Sequence, residues 1–353
     1  MRERGGRVPD RDIELAALTQ AFELARRGLA HGPNPRVGCV LIADDGARLA
    51  TGFHRGAGTP HAEVDALTNA RAAGHDPRGA TAVVTLEPCN HTGRTGPCSQ
   101  ALLDAGVRRV VFALADPNPV AAGGAAHLRA GGVEVVGPAA EAEGRELLRA
   151  WLSAAERGRP FVTLKTATSL DGRIAAADGS SRWITSARSR AHAHALRAEV
   201  DAILVGTGTA LTDDPSLTAR TSEGTLAEHQ PLRVVVGHRE IPADAALRGP
   251  GGELVHLRTH DVAEVLATLQ AREVRHVLVE GGPTIAAELL RAGLVDELHA
   301  YIAPVLLGAG KPAVGDLGII TIAEAFRWET REVHQLGPDV LVIAEPITTT
   351  KES

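Results

Sequence analysis

Cysteine is scarce in this 353-residue chain: three residues, at positions 39, 89 and 98, make an odd and sparse set that argues against a disulfide framework. Metal binding, catalysis or core packing remain for them. Aromatic residues number only three Trp, one Tyr and five Phe, which counts against a surface that stacks nucleic-acid bases. Lysine is confined to positions 165, 311 and 351, so almost all positive charge is arginine. A formal net charge of -6 gives no general attraction to polyanions, and a small substrate is expected rather than nucleic acid. No apolar run of the ~18 residues a membrane span requires is present. The opening MRERGGRVPDRD also lacks the apolar core of a secretory signal, so no membrane partner and a cytoplasmic location are expected.

What is present suits a pair of globular domains. The length exceeds one ordinary compact domain, and 44% hydrophobic against 23% charged residues supplies a core to each half. Helical periodicity over about 10–30, behind a possible Asp10 cap, precedes a β-branched apolar run at Val37–Ile42. Further strands are predicted at 81–86, 107–114 and 133–136, with helices near 61–73, 98–105 and 122–130. The Ala- and Glu-rich stretch 139–157 reads as one helix, and Gly158-Arg-Pro160 as a break between domains. Beyond it, strands near 161–167, 201–205, 232–236, 276–280 and 297–302 alternate with helices near 186–199, 261–272 and 283–292. Alternation of this kind predicts an α/β class for both halves.

The first half carries a constellation with metal-ligand chemistry. His61-Ala-Glu63 is followed by Pro88-Cys89 and then Cys98, one imidazole and two thiolates from separate segments. Three such ligands suit a catalytic Zn²⁺ whose fourth position stays open. Glu63, two residues past the histidine, can remain unligated and shuttle a proton, as in the H-x-E plus P-C pattern of zinc nucleobase deaminases. Both His61 and Cys98 open expected helices, whose positive ends favour thiolates. Taken singly, each residue reads more simply as a surface histidine, a helix-start acid or a buried thiol. A structural zinc site would need a fourth ligand, for which His91 is the only candidate, and His91 reads better as a substrate contact. Cys39, inside an apolar strand, reads as a small core residue.

The stretch Leu86-Glu-Pro-Cys-Asn-His-Thr-Gly-Arg-Thr-Gly-Pro-Cys98, with eight residues between its cysteines, resembles the deaminase domain of the bifunctional riboflavin-biosynthesis deaminase/reductases. Asn34-Pro-Arg-Val-Gly38 is similar to that family's first motif. The resemblance implies a cytidine-deaminase-like three-layer α/β/α domain over 12–150. It implies removal of the 2-amino group from 2,5-diamino-6-(5-phosphoribosylamino)pyrimidin-4(3H)-one by a zinc-bound hydroxide. In that scheme His61, Cys89 and Cys98 hold zinc and Glu63 carries the protons. Asn34 and His91 contact substrate; Arg94 in the inserted loop suits either a grip on the substrate phosphate or a plain solvated position.

The second half lacks the G-x-G-x-x-G of a Rossmann site: Gly206-Thr-Gly208-Thr-Ala-Leu211 is the nearest string and misses its third glycine. Glu280-Gly-Gly-Pro-Thr284, between an apolar strand and a helix, could take a pyrophosphate on its backbone amides, although such junctions are usually plain turns. Lys165-Thr-Ala-Thr-Ser-Leu-Asp-Gly-Arg173, Ser181-Arg-Trp-Ile-Thr185 and Thr212-Asp-Asp-Pro-Ser-Leu-Thr218 resemble the reductase domain of the same family, which implies a dihydrofolate-reductase-like α/β fold over 160–346. By that match NADPH would contact Ala167, Trp183, Thr209, Asp213 and the turn Gly282, Pro283, Thr284, Ile285, Ala286, Ala287 and Glu288. Substrate would contact Ser181, Arg197, Leu217, Arg220 and Glu280. The implied product is 5-amino-6-(5-phosphoribitylamino)uracil, and the implied assembly a homo-oligomer, dimer or tetramer. Asp171 suits polar support, proton delivery or a plain Asp-Gly turn. Gly237-His238 departs from the family's usual Asp-Ser beside the cofactor. Two other readings stay open on the residues alone: a nucleic-acid-acting zinc deaminase with a non-catalytic recognition domain, and a reductase half that only serves dimerisation.

Overall fold

Helical spacing of Ala17, Leu18, Ala21 and Phe22 gives Arg11–Arg26 (α1) one apolar face, while the unbroken apolar run Gly38–Ile42 (β1) needs cover on both sides. The computed structural model, which describes residues 11–91, 96–118 and 121–347, meets both needs in the first of two units, Met1–Gly158 and Arg159–Ser353. There β1 joins Arg48–Phe53 (β2), Thr81–Val84 (β3), Arg109–Phe112 (β4) and Glu134–Val136 (β5) in a sheet of order β2-β1-β3-β4-β5. β1 is antiparallel to β2 and β3, and β3 to β5 run parallel.

Side chains alternate across this sheet. Val40, Ile42, Val83 and Val111 pack on α1, while Cys39, Leu41, Val84 and Val110 meet Ala62–Ala72 (α2), Cys98–Asp104 (α3) and Gly124–Ala130 (α4). Three α/β/α layers result. The Asp10 cap lies outside the described residues. The single helix expected over 139–157 divides into Glu141–Leu147 (α5) and Arg149–Arg157 (α6), because Leu148 leaves the helical well at φ -104° and ψ 13° and buries its side chain.

β2 was not foreseen, since RLATGF has little apolar patterning, yet it seats the helix that carries the chemistry. A Cβ on Gly52 would lie 2.3 Å from the Ala66 nitrogen and 2.4 Å from the Ala62 carbonyl. Only glycine lets β2 and α2 touch backbone to backbone there.

The second unit contains Phe161–Ser169 (β6), Arg173–Ala176 (β7), Ala187–Arg197 (α7), Ala202–Gly206 (β8), Thr207–Asp213 (α8), Leu232–Val236 (β9) and Leu254–Leu257 (β10). Val262–Ala271 (α9), His276–Val279 (β11), Pro283–Arg291 (α10), Glu297–Ala303 (β12), Gly310–Pro312 (β13), Trp328–Leu336 (β14) and Asp339–Pro346 (β15) follow. Its main sheet has eight strands in the order β10-β9-β8-β11-β6-β12-β15-β14, parallel from β10 to β12 and antiparallel at β15 and β14. β7 and β13 form a separate antiparallel pair. Val162, Leu164, Leu204, Val234 and Val277 pack against Leu266 and Leu269 of α9 and Leu289 of α10, while Ile203, Val205, Val235 and Leu278 form a core on the opposite face. The parallel strands place their carboxyl ends at one rim, where ligands of open α/β sheets bind.

Candidate functional site

Metal-ligand chemistry in the first unit is assembled from three chain segments. His61 is the N-cap of α2, with extended backbone at φ -69° and ψ 161°. Cys98 begins α3, and Cys89 sits on the loop after β3, where the Cys98 amide approaches its sulfur at 3.5 Å. His61 Nδ1 lies 3.5 Å from Cys89 Sγ and 3.3 Å from Cys98 Sγ, and all three donor atoms fall within 4.8 Å of one another. No other such group occurs among the described residues, and His91 is not part of it.

The electrostatics of the cluster suit a divalent cation. Hydrogen bonding from the Cys98 thiol, aided by His61, holds Cys89 down at about 4, and Cys98 as the donor is raised. Glu63 is 3% exposed, and its burial, with the charge of Cys89 beside it, pushes its carboxyl up to about 7. One imidazole and two thiol groups, converging with a buried unligated carboxyl beside them, are a donor set that fits zinc.

A cavity of about 160 Å³ opens beside these donors, lined by Asn34, His61, Glu63, Cys89 and His91. His91 Nδ1 is buried without a hydrogen-bond partner among the described residues, a polar atom left for a ligand. Arg94 lies outside the described residues. Among the lining residues that escaped the sequence reading are His54, Asp116 and Trp151. Burial pushes the Asp116 carboxyl up to about 6, with the Glu87 charge adding to it. Trp151 donates from its indole nitrogen to the Pro33 carbonyl at 2.9 Å, which anchors the Asn34 turn to α6. Nothing local marks these residues, because their neighbours in space are distant in sequence.

The second unit holds a cavity of about 1090 Å³ over the carboxyl ends of β6, β8, β9 and β11. Of the residues picked from sequence, Ala167, Ser181, Thr209, Asp213, Glu280, Gly282, Pro283, Thr284, Ile285, Ala286 and Glu288 line it. Ala287 is buried but outside the cavity lining, and Leu217 is buried in the core cluster that includes Ala210 of α8, at φ 48°. Trp183 stands 69% exposed, with the Arg190 guanidinium 4.4 Å from its ring. Arg220 donates to the Gly224 carbonyl at 2.7 Å.

Arg197 does not face the cavity directly but grips Glu280 through two bonds of 2.6 and 2.8 Å, while Lys165 Nζ lies 3.7 Å from the same carboxylate. Burial opposes ionisation of Glu280, yet the charges of Arg197 and Lys165 outweigh it and hold the group down to about 2. Lys165, missed as a site residue, lies on the wall of the cavity. Gly282 has φ 69° and caps α10 on the wall of the cavity, a conformation in which a side chain would be strained. A roomy cleft with a glycine turn at the N-terminus of α10 and Arg239 and Lys311 on its wall fits a phosphate-bearing dinucleotide such as NADPH. Asp171 accepts from the Leu307 and Gly308 amides at 3.1 and 2.6 Å, so it ties loops together.

A zinc-binding deaminase unit and a nicotinamide-dependent reductase unit on one chain define a two-step nucleotide-modifying enzyme. Comparison with known proteins makes this particular. Residues 12–114 match the cytidine and deoxycytidylate deaminase zinc-binding region, and residues 160–342 match the RibD C-terminal domain. The riboflavin biosynthesis protein RibD of Mycobacterium tuberculosis is 50% identical over 88% of this chain and 90% of its own length. That of Escherichia coli is 40% identical over 92% and 96%. The solved deaminase/reductase of Thermotoga maritima, diaminohydroxyphosphoribosylaminopyrimidine deaminase/5-amino-6-(5-phosphoribosylamino)uracil reductase, superposes with a TM-score of 0.87 at 33% identity over 95% of this chain and 99% of that one. The chain belongs to the RibD family of bifunctional riboflavin-biosynthesis deaminase/reductases, with zinc and NADPH as cofactors. The nucleic-acid-acting alternative is not favoured by these relatives. No helix among the described residues is long and apolar enough to cross a membrane.

Proposed function

We propose that residues 12–150 deaminate the diaminopyrimidine ribosyl phosphate and residues 160–346 reduce its ribosyl group, with the residues below in named roles. The observation that carries the first role is the convergence of His61, Cys89 and Cys98 beside buried Glu63. His61 Nδ1 and the two sulfurs hold zinc, which supplies the Lewis acidity that turns a water into a nucleophile near neutral pH. Glu63 takes the proton of that water and returns protons to the ring nitrogen and to the departing ammonia. Asn34 and His91 orient the base or sugar, and the small cavity excludes bulk water around the reacting carbon.

In the second unit the Gly282–Glu288 turn takes the pyrophosphate of the cofactor, and Ala167, Thr209 and Asp213 line its remaining contacts. NADPH supplies the hydride when bound. Arg197 and Lys165 fix Glu280 as an anion that can accept hydrogen bonds from the ribosyl hydroxyls. Ser181 completes the substrate side, and Trp183 covers the cofactor from solvent; Leu217, packed in the core, and Arg220, bonded to the Gly224 carbonyl, stand outside the cavity lining. Arg94 holds the substrate phosphate in the first site, and an unchanged deamination KM in Arg94→Ala would overturn that role.

The test of the whole reading supplies the diaminopyrimidine phosphate with and without NADPH. The product mass should rise by about one unit on deamination and by about two more on reduction. No mass change with zinc-loaded protein would overturn it. The enzyme acts in the cytoplasm, as three cysteines outside any disulfide suit, without nucleic-acid or membrane partners. It self-associates through its second unit, where Leu306, Ile320 and Ile322 are 73%, 90% and 82% exposed; light scattering that returns a monomer would refute this.

A further inference from the structure

His54 takes no part in the scheme above, although it is 4% exposed and lines the deamination cavity. Its Nδ1 lies 3.0 Å from the Pro60 carbonyl and 3.4 Å from the Thr59 hydroxyl, and its Nε2 lies 3.0 Å from the side-chain nitrogen of Asn34. A carbonyl oxygen only accepts, so Nδ1 carries the hydrogen. Thr59 commits its own hydroxyl hydrogen to the Gly56 carbonyl at 2.8 Å and so also meets Nδ1 as an acceptor. Nε2 of the neutral ring is then the acceptor, and the Asn34 amide N–H donates to it. The two ends of an amide are chemically opposite, and this contact assigns the nitrogen end to the protein.

We propose that His54 is a positioning residue of the deamination site: by holding the nitrogen of Asn34, it leaves the amide oxygen as the end offered to substrate, an acceptor for an N–H or O–H of the aminopyrimidine ribosyl phosphate. The chain Pro60–His54–Asn34 runs from the residue before the ligand His61 to the substrate side of the cavity. It therefore sets the polarity of the site without touching the reacting carbon. The competing role is mechanical, because the His54 and His61 rings meet edge to face at 5.2 Å and 76°. In that role His54 would only buttress the zinc ligand.

The inference rests on Asn34 being a substrate contact, and the experiment keeps the two apart. His54→Asn can still donate to Pro60 but is too short to reach Asn34, whereas His54→Gln can offer its carbonyl oxygen there. In the full-length zinc enzyme, His54→Asn is expected to raise the deamination KM about tenfold or more, the worth of one buried hydrogen bond, with kcat little changed and zinc stoichiometry and Tm as in the parent. His54→Gln should restore most of the loss. Combining His54→Asn with Asn34→Ala should add nothing to Asn34→Ala alone. Zinc loss in His54→Asn, a fall in kcat at constant KM, or additive effects in the double variant would overturn the proposal in favour of buttressing. Asn34→Ala with unchanged KM would remove the substrate role of Asn34 and this proposal with it. A raised KM in Asn34→Ala beside an unaltered His54→Asn would remove the proposal alone.

Discussion

Glu63 in the first unit and Glu280 in the second are the same side chain in nearly equal burial, and they are driven in opposite directions. Burial raises both. Around Glu63 the strongest charge effect is that of the negative sulfur of Cys89, which pushes the same way, and the carboxyl reaches about 7. Around Glu280 the guanidinium of Arg197 and the ammonium of Lys165 reverse the effect, and the carboxyl falls to about 2. Depth alone therefore does not assign a role to a buried acid; the sign of its neighbours does. One glutamate is left able to carry a proton, and the other is locked as a fixed charge.

The comparison would break most visibly if the two sites depended on each other. Cys89→Ser is expected to strip zinc and reduce deamination by more than ~10⁴-fold, the upper end of what general acid–base catalysis contributes, while NADPH oxidation with the deaminated intermediate continues. Metal analysis beside the parent protein and a cofactor-consumption assay check both halves, and coupled loss would sink the independence of the units. Glu63→Gln sharpens the proton-carrier half: zinc should stay while deamination falls by ~10²–10⁴-fold, read as product mass against time.

Glu280 tests the fixed-charge half. Glu280→Ala leaves buried Arg197 without its counter-ion and should lower the stability of the second unit by about 3–5 kcal/mol in denaturant titration. Its pH signature follows from a folded value below the ordinary 4.5: the stabilisation is complete above about 4.5 and fades as pH falls toward about 2. Subtracting the Glu280→Gln stability profile from that of the parent should expose that acid limb, and parallel profiles would remove it. The smallest effect belongs to Gly282→Ala, whose φ of 69° suits glycine; about 1–3 kcal/mol of strain should appear as weaker NADPH binding by fluorescence titration, with zinc content unchanged.

Much of the α/β alternation was legible because apolar runs such as Gly38–Ile42 and His276–Val279 are covered on both faces and read as strands without context. β14 and β15 were not, since Trp328–Leu336 is mostly exposed and Asp339–Pro346 takes its order from pairing with β12 rather than from its own pattern. β2 and β10 escaped for the same reason, as edge strands with mixed composition. Within the sites, the donors of the first unit could be singled out because His61, Cys89 and Cys98 are rare residue types whose chemistry survives removal from context. The partner of Arg197 could not, because a guanidinium 83 residues from Glu280 carries no local mark of which acid it will meet.

Residue chemistry and short-range pattern determined the inventory of this enzyme: two thiols and an imidazole able to share a metal, an acid two positions from that imidazole, and a glycine turn before a helix. Folding decided the relations among them. Whether an acid is raised or lowered, which end of Asn34 is held by His54, and which arginine neutralises Glu280 depend on atoms brought within about 3 Å by long-range packing, and electrostatic and hydrogen-bond energies at that distance are properties of the pair.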